Sequence, residues 1–185
     1  ACVTSANKYK AVKRLDQTAI LCRKLQKYYP NLKLHVLGNP TEIINLNKNL
    51  YKNNFIVFHG LLKYSSLKKF LKNMDLQFHL SYSDACPNAV VEGLMSSLPI
   101  ICPKGTGTAE LLGEISNKWS IDENLDIKFY PLAQNLSPKI NYENYINLFH
   151  IVIESLEENR KIAHAYAAEN LDIKLIAKKY KNVLN

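Results

Sequence analysis

Short apolar runs with strand character alternate along the chain with apolar positions at helical spacing, and most of the changes are marked by glycine, proline or asparagine. Residues 1–5 read as a buried strand. Leu15, Ala19, Cys22, Leu25 and Tyr29 then fall on one helix face, and Tyr29-Pro30-Asn31 stops that helix, because proline cannot continue it. Residues 32–37 predict a second strand, ended by Gly38-Asn39-Pro40, and residues 41–50 a short helix. After the Asn53-Asn54 turn comes a third strand at 55–59, closed by Gly60. Leu67, Phe70, Leu71 and Met74 mark the next helix, with Ser65 or Ser66 as its cap. Residues 76–80 predict a buried strand, 81–88 a polar loop, 89–97 a helix and 98–102 a strand entered by Pro99. A loop at 104–108 leads into a short helix at 109–112, and 118–121 is the sixth strand.

From Asn141 onward the pattern is helical. Tyr142, Tyr145, Phe149, Ile153 and Leu156 mark one amphipathic helix, Ile162 and Tyr166 a second, and Ile173, Ile176, Tyr180 and Leu184 a third. Strands separated by single helices predict an α/β fold. Its form would be a Rossmann-like, parallel six-stranded sheet with right-handed crossovers, helices on both faces and a helical C-terminal tail. Residues 1–121 make the α/β core, 122–140 an irregular connection holding Pro131 and Pro138, and 141–185 the C-terminal helices. Ligands of such sheets bind beyond the C-terminal strand ends. The loops at 6–12, 38–41, 60–63, 81–88 and 103–108 are therefore where function is expected.

A chain of 185 residues suits one such domain. Its longest apolar runs, such as 98–102, are too short to span a bilayer, and no signal segment opens it. The location expected is cytoplasmic, with the inner face of a membrane as a candidate peripheral contact. The chain opens with Ala1 on a buried strand, which suggests a piece of a longer protein. Cys2, Cys22, Cys86 and Cys102 are scattered without metal-binding spacing, and reduced thiols are expected. The net charge of +8 comes from lysines clustered at 8–14, 63–72 and 174–181. The last two clusters sit opposite apolar helix positions. They read as solvated faces or as attraction to phosphate, on a nucleotide or an anionic membrane. No recognition helix, zinc finger or aromatic-basic sheet points to nucleic acid.

Two of the five loops carry chemistry. In the first, Pro87 and Asn88 suit a helix start, whose free amides and dipole make an anion site. Asp84 precedes that helix and Glu92 lies about one turn into it. A carboxylate accepts two or more charge-assisted hydrogen bonds and so suits sugar hydroxyls. From spacing alone, the plainer reading is a loop cap for Asp84 and an exposed helix position for Glu92. In the second loop, Gly105 and Gly107 let the backbone approach a ligand, without matching the dinucleotide fingerprint or the P-loop.

Together the two loops are more specific. The string SYSDACPNAVVEGLMSSLPIICPKGTGTAE, residues 81–110, resembles the hallmark of family 4 (group 1) glycosyltransferases of the GT-B fold. That hallmark runs roughly S-x-x-E-x-x-P-x-x-x-x-E-A-M-A-x-G-x-P-V and is followed by a Gly-Gly-x-x-E loop. Asp84 and Glu92 stand eight positions apart, as the family's acidic pair does, and Pro87, Met95, Pro99, Gly107 and Glu110 also fall into place. KLHVLG at 33–38 and FIVFHGLLKYSSLKKFLKNMDLQFHLS at 55–81 look like the family's preceding elements.

The resemblance implies the donor-binding, C-terminal half of a GT-B enzyme, with the acceptor-binding N-terminal half outside this chain. Glu92 would hold the ribose hydroxyls, and Asp84 would contact the donor sugar. The amides near Asn88, Ala89 and Val90, and those of Gly105, Thr106, Gly107 and Thr108, would hold sugar hydroxyls and diphosphate, with Glu110 also among the donor-binding residues. The Gly60–Leu61 backbone would lie near the base. Family members also place an Arg and a Lys on the diphosphate after strand one. Lys10 is the best match for the Lys, with Lys8 or Lys13 as alternatives. Asn7 stands where the Arg is expected, with Arg14 as a substitute. Asp84 for Glu and Ser97 for Gly are the other departures, Ser97 being read as a matter of packing. His35 and His79 read as core or edge residues and His59 as a packed residue beside the cleft.

The activity implied is a retaining transfer of a sugar from a UDP- or GDP-linked donor to a glycan or lipid-linked acceptor, as in surface polysaccharide synthesis, with no cofactor and no metal. This half alone would bind nucleotide and barely turn over. Asp84 and Asn7 favour a non-catalytic GT-B-like binding or assembly module as the alternative. A GT-B epimerase or phosphorylase is a third reading.

Overall fold

The computed structural model describes residues 1–6, 10–39, 54–123 and 137–184. The helix predicted at 41–50 lies outside them, as do Asn7, Lys8 and Pro131. The chain runs β1 (Cys2–Ala6), α1 (Lys10–Lys13), α2 (Leu15–Leu25), β2 (Leu34–Gly38), β3 (Ile56–Gly60), α3 (Tyr64–Leu71) and β4 (Leu76–Phe78). It continues through α4 (Asn88–Met95), β5 (Ile100–Pro103), α5 (Gly107–Leu112), α6 (Ser116–Trp119) and β6 (Ser120–Ile121). The tail is α7 (Tyr142–Glu154), α8 (Leu156–Asn170) and α9 (Ile173–Leu184).

The six strands form one parallel sheet in the order β3-β2-β1-β4-β5-β6. Strand order reverses between β1 and β4, so the connections leaving those two strands diverge and open a crevice at their C-terminal ends. Neighbouring residues of β4 face opposite layers, as the strand period requires. Phe78 stacks on Phe149 of α7, while the Gln77 amide Nε2 donates to the Ala89 carbonyl of α4 at 3.1 Å. The core holds Leu34, Val36, Leu76 and Ile100 from the sheet, Leu15, Ala19, Cys22 and Leu25 from α2, and Tyr145, Phe149 and Val152 from α7. Val90 and Leu94 of α4 are packed beside Ala163 and Ala167 of α8. No helix among the described residues is long and apolar enough to cross a membrane.

Several boundaries differ from the sequence reading. Helix α2 ends at Leu25, and residues 26–28 form a turn. Tyr29 stays packed on its own, its hydroxyl 2.8 Å from His150 Nδ1. Helix α3 begins at Tyr64 with Lys63 in the cap position and no side-chain cap bond, so Ser65 and Ser66 lie inside its first turn. Helix α4 ends at Met95, two residues earlier than read. There Ser97 donates its amide to Leu94 O and Leu98 donates its amide to Gly93 O, the paired bonds of a Schellman cap. Ser97 occupies the left-handed position of that cap at φ 64°. The glycine that the resemblance leads one to expect at this position would answer to a backbone requirement as well as packing. In α9, two positions of the expected apolar stripe are bare, Ile173 at 79% and Tyr180 at 69% exposed, Ile176 is half-buried, and the Leu184 side chain lies outside the described residues.

Candidate functional site

The connections leaving β1 and β4 meet over the crevice. The Tyr82 amide donates to the Val12 carbonyl at 3.3 Å, which docks the 81–88 loop on α1. Lys13, the last residue of α1, ion-pairs with the Asp84 carboxylate, whose side chain is 18% exposed. The same oxygen, Asp84 Oδ2, lies 3.3 Å from Nε2 of His79, which follows β4 directly and is 2% exposed. An ionised carboxylate only accepts, so Nε2 carries the proton. The His79 hydrogen bond, and then the Lys13 charge, outweigh burial and hold the Asp84 pKa down to about 2. Burial dominates at His79 and lowers its pKa, with the Asp84 bond opposing, so the imidazole is neutral at pH 7.

Of the lysines considered after strand one, Lys13 is the one seen at Asp84. Lys10 opens α1, but its side chain lies outside the described residues. Arg14 pairs inside the domain. It is 1% exposed, its Nη1 donates to both Glu123 oxygens at 2.9 and 2.7 Å, and its guanidinium lies 5.3 Å from the centre of the Tyr82 ring. Glu123 also accepts from the Tyr145 hydroxyl. Arg14, the substitute offered for the expected Arg, is thus paired inside the domain, while its Nε and Nη2 are buried without a partner among the described residues.

Glu92 lies on α4 and lines a pocket of about 140 Å³ between α3 and α4. Its other walls include Tyr64, Leu67, Lys68, Val91 and Met95. Burial raises the Glu92 pKa. Asp84 is not part of that lining, so the two acidic residues serve different parts of the surface. Pro87 sits in the cap position of α4 with extended backbone. The amides of Asn88 and Ala89 find no acceptor among the described residues, whereas Val90 donates back to Pro87 O at 2.9 Å and is taken.

The second loop is packed against the first. A Cβ placed on Gly107 would collide with the carbonyl oxygens of Asp84 and Ala85 and come 2.7 Å from the Ala85 carbonyl carbon. Gly105 is open on all sides at φ 73°. Thr106 and Thr108 are buried: the Thr106 hydroxyl donates to Pro103 O at 3.0 Å, and the Thr108 hydroxyl has no partner among the described residues. Glu110 is exposed on α5. Gly60 ends β3 at φ 65°, and Leu61 after it is 85% exposed.

His79 is the residue that sequence reasoning missed. It stands directly after a buried strand at the crevice, and that position was its only signal. His35 and His59 instead pair with each other, Nδ1 to Nε2 at 2.8 Å, beside Phe70.

A family model described as glycosyl transferases group 1 matches residues 2–133. The chain belongs to that family. No curated protein matches it by sequence. Among solved structures, the pneumococcal O-GlcNAc transferase GtfA, in complex with UDP and GlcNAc, superposes with a TM-score of 0.74 at 16% identity, over 98% of this chain and 35% of that one. WaaG, a glycosyltransferase involved in lipopolysaccharide biosynthesis, gives 0.68 at 16% identity, over 98% and 46%. Anabaena HepE in complex with UDP-glucose gives 0.68 at 17% identity, over 99% and 48%. These likenesses establish the GT-B half-fold. The chain spans between a third and a half of the length of those glycosyltransferases.

Proposed function

We propose that this chain is the donor-binding half of a retaining, GT-B glycosyltransferase, which moves a sugar from a nucleoside diphosphate to a glycan or lipid-linked acceptor. The observation that carries the reading is the Glu92 carboxylate, desolvated in a pocket between α3 and α4. A carboxylate kept partly dry is unfavourable in the free protein, and two ribose hydroxyls donating to it would relieve that. The unpaired amides of Asn88 and Ala89 and the Lys13 ammonium supply positive potential for the diphosphate. As the sugar–phosphate bond breaks, negative charge grows on the leaving diphosphate, and these groups stabilise it without reorganising. The acceptor and its activating groups belong to the half that GT-B relatives add. UDP is the favoured nucleotide, because the GtfA and HepE structures hold it.

Calorimetry with UDP, GDP, UDP-glucose and UDP-GlcNAc tests the reading. UDP should bind in the high-micromolar range or tighter, and Glu92→Ala should remove most of that binding while leaving the fold intact. Absence of any nucleotide binding sinks the proposal.

One observation favours a second reading, a non-catalytic binding module. Asp84, the residue meant for the donor sugar, already holds Lys13 and His79. Product formation from a UDP-sugar by the full-length protein decides between them.

A further inference from the structure

We propose that His79 is a positioning residue of this site: by donating from Nε2 it turns the Asp84 carboxylate onto Lys13, and so fixes the ammonium that meets the diphosphate of a nucleotide. The proposal rests on the reading that a nucleoside diphosphate binds the crevice.

His79 is anchored from behind. Its amide donates to Ile101 O at 2.9 Å, in register with β5, and its side chain is 2% exposed. A buried imidazole needs a partner for its N–H, and Asp84 Oδ2 supplies it at 3.3 Å. Lys13 reaches the same oxygen from α1. Two connections far apart in sequence, one carrying Lys13 and the other His79 and Asp84, thus converge on one atom at the switch point of the sheet. Aspartate is one methylene shorter than the glutamate common at this position. A donor fixed in the strand end sets the direction of the short carboxylate, which a mobile surface group could not do.

The consequence falls on Lys13. A lysine on a flexible stem loses rotamer entropy when it meets a ligand, and holding it beforehand removes part of that cost. Because the imidazole is neutral, His79 orients the carboxylate without adding a second positive charge to the cluster.

His79→Leu, His79→Asn and His79→Gln separate this role from packing. Leucine fills the space without a donor, asparagine is too short to reach, and glutamine keeps an N–H at similar reach. UDP and uridine affinities are measured by calorimetry, and the Asp84 carboxyl is titrated by carbon NMR. His79→Leu and His79→Asn should weaken UDP about tenfold, the value of a lost hydrogen bond to a charged group. Uridine affinity should stay within about twofold, and Asp84 should titrate higher than in the unaltered chain. His79→Gln should recover both properties. If the leucine variant does not fold, the asparagine–glutamine comparison carries the test. Unchanged or tighter UDP binding, or equal losses for uridine and UDP, overturns the proposal. If the unaltered chain binds no nucleotide, the donor reading falls. A raised Asp84 titration with rescue by glutamine would still support control of the carboxylate by His79.

Discussion

Gly107 and Asp84 touch in a way that leaves no room for a side chain: a Cβ on Gly107 would overlap the Asp84 carbonyl oxygen and the Ala85 carbonyl beside it. The start of α5 is therefore packed directly on the loop that carries Asp84. The two loops resembling the family hallmark form one surface, and their spacing depends on a missing methyl group.

Gly107→Ala should push these loops apart. Backbone cannot swing aside as a flexible side chain can, so overpacking here costs roughly 1–3 kcal/mol. UDP affinity should fall along with the melting temperature. A variant with unchanged Tm and affinity would show that the loops move independently.

Ser97→Gly should stabilise the domain. Ser97 sits at φ 64° in the Schellman cap of α4, a conformation that costs an L-residue roughly 1–2 kcal/mol. Glycine's greater freedom in the unfolded chain returns part of that gain, leaving about 0.5–1 kcal/mol. Denaturant unfolding at equal m-value measures it. Nucleotide affinity should not change, since Ser97 is not among the walls of the Glu92 pocket.

Asp84 makes stability depend on acid. Its pKa is held at about 2 against a usual 3.8. A depressed carboxylate contributes stability that is fully present above its unfolded pKa and lost as pH falls through its folded value. The difference corresponds to about 2 kcal/mol, released between about pH 4 and pH 2. Asp84→Asn should lose that amount at pH 6 and converge with the unaltered chain near pH 2. Parallel pH–stability curves for the two proteins would contradict the assignment.

The strands were legible because buried parallel strands are short, nearly continuous apolar runs bounded by turn residues, a pattern that surface helices and loops do not produce. The helix ends were less so. Helix α3 begins at Tyr64 without any side-chain cap, so Ser65 and Ser66 misled by having the right chemistry inside the first turn instead of before it. Glu92 and the acidic spacing were visible as a pattern, but what surrounds each carboxylate was not. Lys13 and His79 reach Asp84 from 71 and 5 residues away: the pairing of β1 with β4 brings in Lys13, and the fold of the loop after β4 turns Asp84 back onto His79. Arg14 shows the same limit from the other side. Its partner Glu123 is 109 residues distant, and this pairing buries a cation that the sequence offered to a ligand.

Glu92 should trade stability for binding. Burial raises its pKa, so the ionised form is disfavoured in the folded chain. For a raised carboxylate the contribution to stability is best below the unfolded pKa and declines as pH climbs through the folded value. Glu92→Gln keeps the shape and never ionises. Its melting temperature should match the unaltered chain at about pH 4, near the usual glutamate pKa, and exceed it at pH 7. Amide substitution also removes a charged acceptor, so UDP affinity should fall about tenfold or more. Ligand stabilisation grows with the logarithm of concentration over Kd. The two effects therefore oppose each other: the variant melts higher without ligand, and the unaltered chain overtakes it as UDP is added. A thermal-shift series across UDP concentration should show the curves cross. A variant that melts lower at every concentration would make Glu92 a structural residue and remove it from the nucleotide site.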